Sequence, residues 1–316
     1  MPAADEDEID QTLAGQPLDR ALRGLGARKA AAPSWNQVRR LIQTGKVFVD
    51  GKPITDPEFV VRAGQRLKIV MHAPAPRARR LPEGTIVYID SHVVVVEKPS
   101  GVSSVPFSED ERDALSQLLE LELAHKGGGR RAPLGIVHRL DRDTTGLLVF
   151  ARTLSAKREL KNQFRHHNVE RRYWALVEGQ MESTTITSRL ITDRGDGRRG
   201  SVESSTLGRV ATTHVKALER LPGATLVECR LETGRTHQIR IHLGEEGHAL
   251  LGERVYGARG RSAAPELSAP RVMLHAFELG FVHPATEKPL HFESKMPADM
   301  LQVLEGLRKR RPDRRL

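Results

Sequence analysis

The sequence contains almost no cysteine: Cys229 is the single one in 316 residues. One thiol can close no internal disulfide and build no cysteine-based zinc cluster, so packing and hydrogen bonds must hold the fold, as suits a reducing compartment such as the cytoplasm. Aromatics are also scarce, at 4%. That argues against a protein that grips single strands mainly by stacking bases on aromatic platforms. No apolar run approaches the ~20 residues that cross a bilayer, and the opening MPAADEDEID is acidic, without the apolar stretch of a secretory signal. A membrane partner is therefore not expected. What the sequence does hold is positive charge. Fifty Lys and Arg against 40 Asp and Glu give +10, a balance that suits a polyanion through counterion release, although basic soluble proteins without such a partner are common.

The chain is long enough for two or three domains. Residues 1–16 carry no apolar periodicity and read as a disordered acidic tail. In the next unit, 17–71, the stretch WNQVRRLIQTGKVFVDGKPI sets Val38, Leu41 and Ile42 at helical spacing, stops at Gly45 and alternates through Val47 and Val49. Asp50-Gly51 is a hairpin turn signal, and 66–70 supply another strand. Arg39, Arg40 and Lys46 make this small helix-then-hairpin unit basic. Residues 72–84, rich in Pro, Ala and Arg, read as a linker. Over 85–300, strand signals at 85–90, 92–98, 147–152, 172–177, 225–232 and 272–281 alternate with helical pattern around Leu115, Leu118 and Leu119 and through Ala156, Leu160 and Phe164. Many strands with few helices between them predict an α+β domain with a mixed, mainly antiparallel sheet. Residues 301–316 read as the end of a C-terminal helix and a basic tail.

Chemistry concentrates in LGIVHRLDRDTTGLLVFAR, 134–152, where a strand ends in a charged cluster, turns at Gly146 and resumes as strand. A rigid scaffold presents reactive side chains at such places. Asp141 stands between Arg139 and Arg142, cations that favour its ionised form. Taken alone, the cluster also suits a surface turn with ordinary ion pairs. Likewise Tyr173 can be a core tyrosine sharing a strand face with Ala175 and Val177, and Arg235 a turn arginine beside Gly234.

The stretch His138–Gly146 resembles the HRLDxxTSG signature of the RluA-type family of RNA pseudouridine synthases, with Thr145 keeping the hydroxyl of the commoner serine. EKPSGV (97–102), RRYWAL (171–176), LETGRTHQIRIHL (231–243), LGERVYG (251–257) and LHAFELGFVHP (274–284) resemble further family motifs in the family's order, over roughly 86–297. Residues 17–71 are similar to the S4 RNA-binding domain, although Pro33-Ser34-Trp35 and Gly64-Gln65 depart from its usual pattern.

The resemblance implies a pseudouridine synthase fold behind a small S4-like α/β domain. It also implies isomerisation of uridine in structured RNA, large-subunit ribosomal RNA with transfer RNA as a further substrate, by a cytoplasmic monomer needing no cofactor and no metal. Asp141 matches the catalytic aspartate, which stabilises charge at ribose C1′ or acts covalently. Tyr173 matches a tyrosine that stacks on the detached uracil with its hydroxyl near C5. Arg235 matches an arginine paired with the aspartate, and Arg139 one that enters the RNA helix where the target base leaves. Arg39, Arg40 and Lys46 are expected to meet RNA, and His138, His237 and His275 to be structural. Two other readings share these residues: an RNA-binding protein of this fold without turnover, and an N-glycosidase that releases uracil.

Overall fold

The computed structural model describes all residues except 1–5, 29–32, 72, 74–80, 108–110, 112, 127–131, 196–197, 258–268 and 311–316. The described residues of Met1–Arg80 and Pro106–Leu118 make one compact unit, and those of Leu81–Val105 and Leu119–Leu316 a second.

The first unit comprises β1 (Glu6–Glu8), α1 (Leu18–Arg28), α2 (Trp35–Gln43), β2 (Val47–Val49), β3 (Lys52–Pro53) and β4 (Arg66–Ile69), with sheet order β1-β4-β2-β3. Ser34 starts α2 with a capping box: its hydroxyl accepts from the Gln37 amide, and the Gln37 side chain accepts from the Ser34 amide. Val38 and Ile42 of α2 are fully buried, and the β2–β3 turn places Asp50 and Gly51 at φ 49° and 74°, both in the left-handed region.

The expected disordered tail is overturned over residues 6–16. β1 pairs antiparallel with β4 so that Glu6 faces Lys68 and Glu8 faces Arg66, and Ile9 and Leu13 are buried in the unit's core beside Leu22 and Leu67. Acidic composition suggested a solvated tail, but here the acids answer a basic neighbouring strand. Most of the expected linker, residues 72 and 74–80, lies outside the described residues.

The second unit comprises β5 (Ile86–Ile89), β6 (Val93–Lys98), α3 (Leu115–Lys126, whose first turn belongs to the first unit), β7 (Gly135–Ile136), β8 (Thr145–Ala151), α4 (Leu154–Arg165), β9 (Glu170–Glu178), β10 (Thr184–Ile191), β11 (Gly200–Ser201), β12 (Arg209–Leu221), β13 (Ala224–Leu231), α5 (Gln238–Glu245), β14 (Leu274–Val282), β15 (Pro289–Glu293) and α6 (Ala298–Arg308). Its sheet runs β11-β10-β12-β13-β9-β14-β8-β6-β5, with β15 beside β14 and β7 beside β8. Every pairing is antiparallel except β14 with β8. The architecture is the α+β, mixed and mainly antiparallel fold read from the sequence.

That parallel junction fixes the start of β8. Gly146 sits at φ 112°, and a Cβ there would meet the Ala276 carbonyl oxygen at 2.1 Å, so only glycine lets the two strands close. The boundary expected at 300/301 is also corrected. α6 is continuous from Ala298 to Arg308 and buries Met300, Leu304 and Leu307 in one core with Leu176, Leu226 and Met273. A basic stretch can end a helix whose apolar face is still packed. The remainder of the expected tail, 311–316, lies outside the described residues.

Candidate active site

The loop that precedes β8 carries Asp141, β9 carries Tyr173, and the loop and helix after β13 carry Arg235, His237 and Arg240. Together they line a cleft of about 730 Å³. Seven of its lining residues are Lys or Arg, and Asp141 is the one acidic residue among them.

The Asp141 loop is held from behind. Ser104 exchanges two hydrogen bonds with the backbone of Leu140, donating to its carbonyl at 2.7 Å and accepting from its amide at 3.0 Å. Lys98, fully buried, donates to the carbonyls of Pro99, Val102 and Arg142 at 2.7–2.9 Å. Burial pushes its pKa down to about 7, against the pull of Asp143 and Asp141. The residues on either side of Asp141 are therefore anchored while its side chain stays 23% exposed to the cleft.

The arginine facing Asp141 is not the expected one. Arg240 Nη1 lies 3.6 Å from Asp141 Oδ2, whereas Arg235 donates through Nε to the Val210 carbonyl at 3.3 Å. Arg235 lines the cleft, and the backbone turns at His237, held at φ 58°. Helix α5 then begins at Gln238, whose side chain ties Thr233, the Arg235 amide and the edge of β12 together at 2.8–3.0 Å. Two residues further, Arg240 enters the core. It is 6% exposed and donates bidentately to Glu253 at 2.7 and 2.9 Å. Burial raises the Glu253 pKa, but the Arg240 bonds and the backbone amides of Val255 and Tyr256 outweigh it and leave the carboxyl below its ordinary value. Glu253 thus fixes two prongs of the guanidinium, and the third turns to Asp141.

His237 completes this side, with Nε2 3.9 Å from Asp141 Oδ1 and Nδ1 2.6 Å from the Tyr256 hydroxyl. Burial lowers the His237 pKa, partly offset by Asp141, and burial pushes Tyr256 up to about 12. A phenol that stays protonated donates to Nδ1, and the neutral ring then carries its proton on Nε2, the atom facing Asp141. Sequence reading treated His237 as structural and passed over Arg240 and Glu253. The available signal was an arginine set among Ile239, Ile241 and Leu243, which needs a buried carboxylate partner.

Tyr173 is 6% exposed and lies on β9 between Ala276 of β14 and Cys229 of β13. Burial pushes its phenol above the ordinary value, so the hydroxyl keeps its proton. Arg139 is exposed at the cleft edge and donates to the Thr236 hydroxyl. His138 and His275 are both held by neighbouring groups. His138 stacks on Phe164 at 4.5 Å and accepts from the Val149 amide, its pKa pushed down to about 3 by burial and then by Arg171. His275 takes the Thr145 hydroxyl at 2.8 Å, so the hydroxyl that Thr145 shares with serine is in use.

The other expected RNA contacts lie in the first unit. Arg39 pairs with the buried Asp19 at 3.2 Å, Lys46 donates to the Ala73 carbonyl, and Arg40 is exposed. Asp90, His92 and His283 cluster closely enough to suggest a metal site. There, His283 accepts two backbone amides on Nδ1 and so presents an Nε2 proton to Asp90 at 2.8 Å, which leaves that nitrogen no lone pair for a cation.

A cation-lined cleft around a single anchored carboxylate defines an enzyme for a polyanionic substrate. Residues 92–245 match the family described as RNA pseudouridylate synthase, and residues 17–67 match the S4 domain. The chain is 37% identical to "Ribosomal large subunit pseudouridine synthase D" of Zymomonas mobilis over 95% of its own length and 96% of that protein's. It is 34% identical to the protein of the same name from Nitrosomonas europaea over 95% and 87%. Among solved structures, "Human RNA Pseudouridylate Synthase Domain Containing 4" superposes with a TM-score of 0.58 at 25% identity, over 72% of this chain and 94% of that one. The chain belongs to the RNA pseudouridylate synthase family.

Proposed function

We propose that this RNA pseudouridine synthase isomerises specific uridines of large-subunit ribosomal RNA, with Asp141 as its catalytic carboxylate. The target class follows the name of the relatives from Zymomonas mobilis and Nitrosomonas europaea. The observation that carries the residue assignment is Asp141 itself, the sole acid lining a basic cleft, with Arg240 at 3.6 Å.

The reaction breaks the bond from ribose C1′ to uracil N1, turns the base and joins C1′ to C5; C5 then loses its proton and N1 gains one, so the net change is an isomerisation. Cleavage develops positive charge at C1′, and an ionised carboxylate beside it stabilises that charge or takes it up covalently. Arg240, 3.6 Å from the carboxylate, holds Asp141 aimed, the role expected of Arg235. Tyr173 offers a ring face to the detached uracil and a protonated hydroxyl near C5. Arg139 at the cleft edge fills the stack after the base leaves it. The S4 domain adds affinity through Arg39 and Arg40 of α2 and Lys46 just beyond it, which meet the RNA backbone. The protein acts as a monomer in the cytoplasm, and transfer RNA is a further substrate.

The test is incubation with unmodified large-subunit rRNA and tRNA transcripts, followed by carbodiimide labelling and mapping of pseudouridine. New pseudouridine at discrete rRNA positions, with no free uracil and no effect of a chelator, is the expected result. Free uracil would identify an N-glycosidase, binding without pseudouridine would identify a module without turnover, and modification of tRNA alone would overturn the rRNA assignment.

A further inference from the structure

Helix α4 carries three cations that the chemistry around Asp141 does not use. Lys157, Lys161 and Arg165 follow one another at four-residue intervals, a spacing that puts them on one helix face at ~6 Å steps along the axis. All three line the cleft. Ala156, Leu160 and Gln163 bury the adjacent face, so the cationic row is turned outward by the packing of the helix. Lys161 and Arg165 are exposed. Lys157 is half-buried, because its aliphatic stem lies against Gly135, where a Cβ would meet both Lys157 Cβ and Cδ at 3.1 Å. That contact orders the stem and leaves the ammonium to the cleft. Among the described residues, no carboxylate lies within ion-pair distance of any of the three, in contrast to Arg240, Arg271 and Arg308, which are all paired.

A row of uncompensated charges along a cleft wall suits a ligand whose negative charges repeat at a similar interval, as phosphates do along one nucleic-acid strand. A uridine extruded to reach Asp141 stays joined to its strand on both sides, so one flank of that strand must pass over the cleft wall. We propose that Lys157, Lys161 and Arg165 form a track for successive phosphates of the RNA strand flanking the target uridine. This rests on the reading of the cleft as the site of uridine isomerisation, and it adds the path of the substrate strand.

The test measures binding of the full chain to an unmodified large-subunit rRNA transcript across a salt titration, for Lys157→Gln, Lys161→Gln, Arg165→Gln and the triple variant. Arg158→Gln is the control, an exposed cation on the same helix that does not line the cleft. Each track substitution is expected to reduce the slope of log K against log salt by about 0.7–0.9, and the triple by two or more, with Arg158→Gln leaving it unchanged. In turnover the loss falls on KM rather than kcat. Equal losses for Arg158→Gln would reduce the effect to net charge and overturn the track, as would unchanged slopes. Melting temperatures check folding, and the solvent-facing single variants Lys161→Gln and Arg165→Gln carry the test if the triple is unstable. A wild-type protein that makes no pseudouridine would refute the proposed reaction without touching the slope measurement.

Discussion

Glu253 governs what Arg240 can do. A guanidinium buried in the core needs a partner, and Glu253 supplies a bidentate one while leaving Nη1 for Asp141. Replacing Glu253 by Gln leaves the arginine charge half-compensated, with an expected destabilisation of about 3–5 kcal/mol, read by chemical denaturation. Arg240→Lys removes the planar fork, and kcat is expected to fall by roughly a hundredfold. Arg235→Lys is expected to change RNA affinity with little loss of kcat. The reverse pattern in steady-state kinetics would restore Arg235 to the place expected of it. Asp141 and Tyr173 were legible because their motifs fix them at a loop and on a strand. The choice between Arg235 and Arg240 was not, because both stand in one motif and the left-handed turn at His237 that separates them leaves no mark in residue spacing.

Apolar strands such as β6 and β8 were readable because burial on both faces needs continuous apolar sequence. β10 and β12 were not: β10 buries only Ile186 and Leu190, and in β12 the sequence RVATTHVKALERL mixes charge with buried residues and shows no clean alternation. α5 was hidden for the opposite reason. Its residues from Gln238 to Leu243 are all buried, so no polar face marks a helical period, and Ile239, Ile241 and Leu243 alternate as a strand would. Two substitutions test the elements. Gly146→Ala sets a Cβ against the Ala276 carbonyl, and loss of soluble protein or a marked fall in melting temperature is expected. Ile9→Ala should cost the first unit about 2–5 kcal/mol, seen as faster amide exchange in β1 and β4. A disordered tail would show no change.

At the scale of the whole molecule, the +10 charge is less informative than its distribution. Arg39, Arg240, Arg271 and Arg308 are paired with carboxylates, while the cleft keeps six cations besides Arg240 against one acid. Acid sensitivity is a second global property. Burial holds His138 at about 3 and His242 and His275 at about 4, below the ordinary histidine value. Unfolding frees them to take protons at their ordinary value near 6.5, so their contribution is complete above that pH and is lost as pH falls toward 4. Melting temperature is expected to drop between pH 7 and 4, with a slope of up to about 1.4 kcal/mol per pH unit for each ring. A flat profile over that window would mean that the rings take up protons as readily in the folded protein as in the unfolded chain.

The central claim concerns one carboxylate, and the most direct measurement is single-turnover pseudouridine formation by Asp141→Asn on an rRNA substrate that the wild type modifies. The amide keeps the shape and removes the charge. Pseudouridine should fall below detection, with RNA affinity retained and no free uracil released. Pseudouridine formed by Asp141→Asn at a rate near the wild type's would contradict the assignment of Asp141.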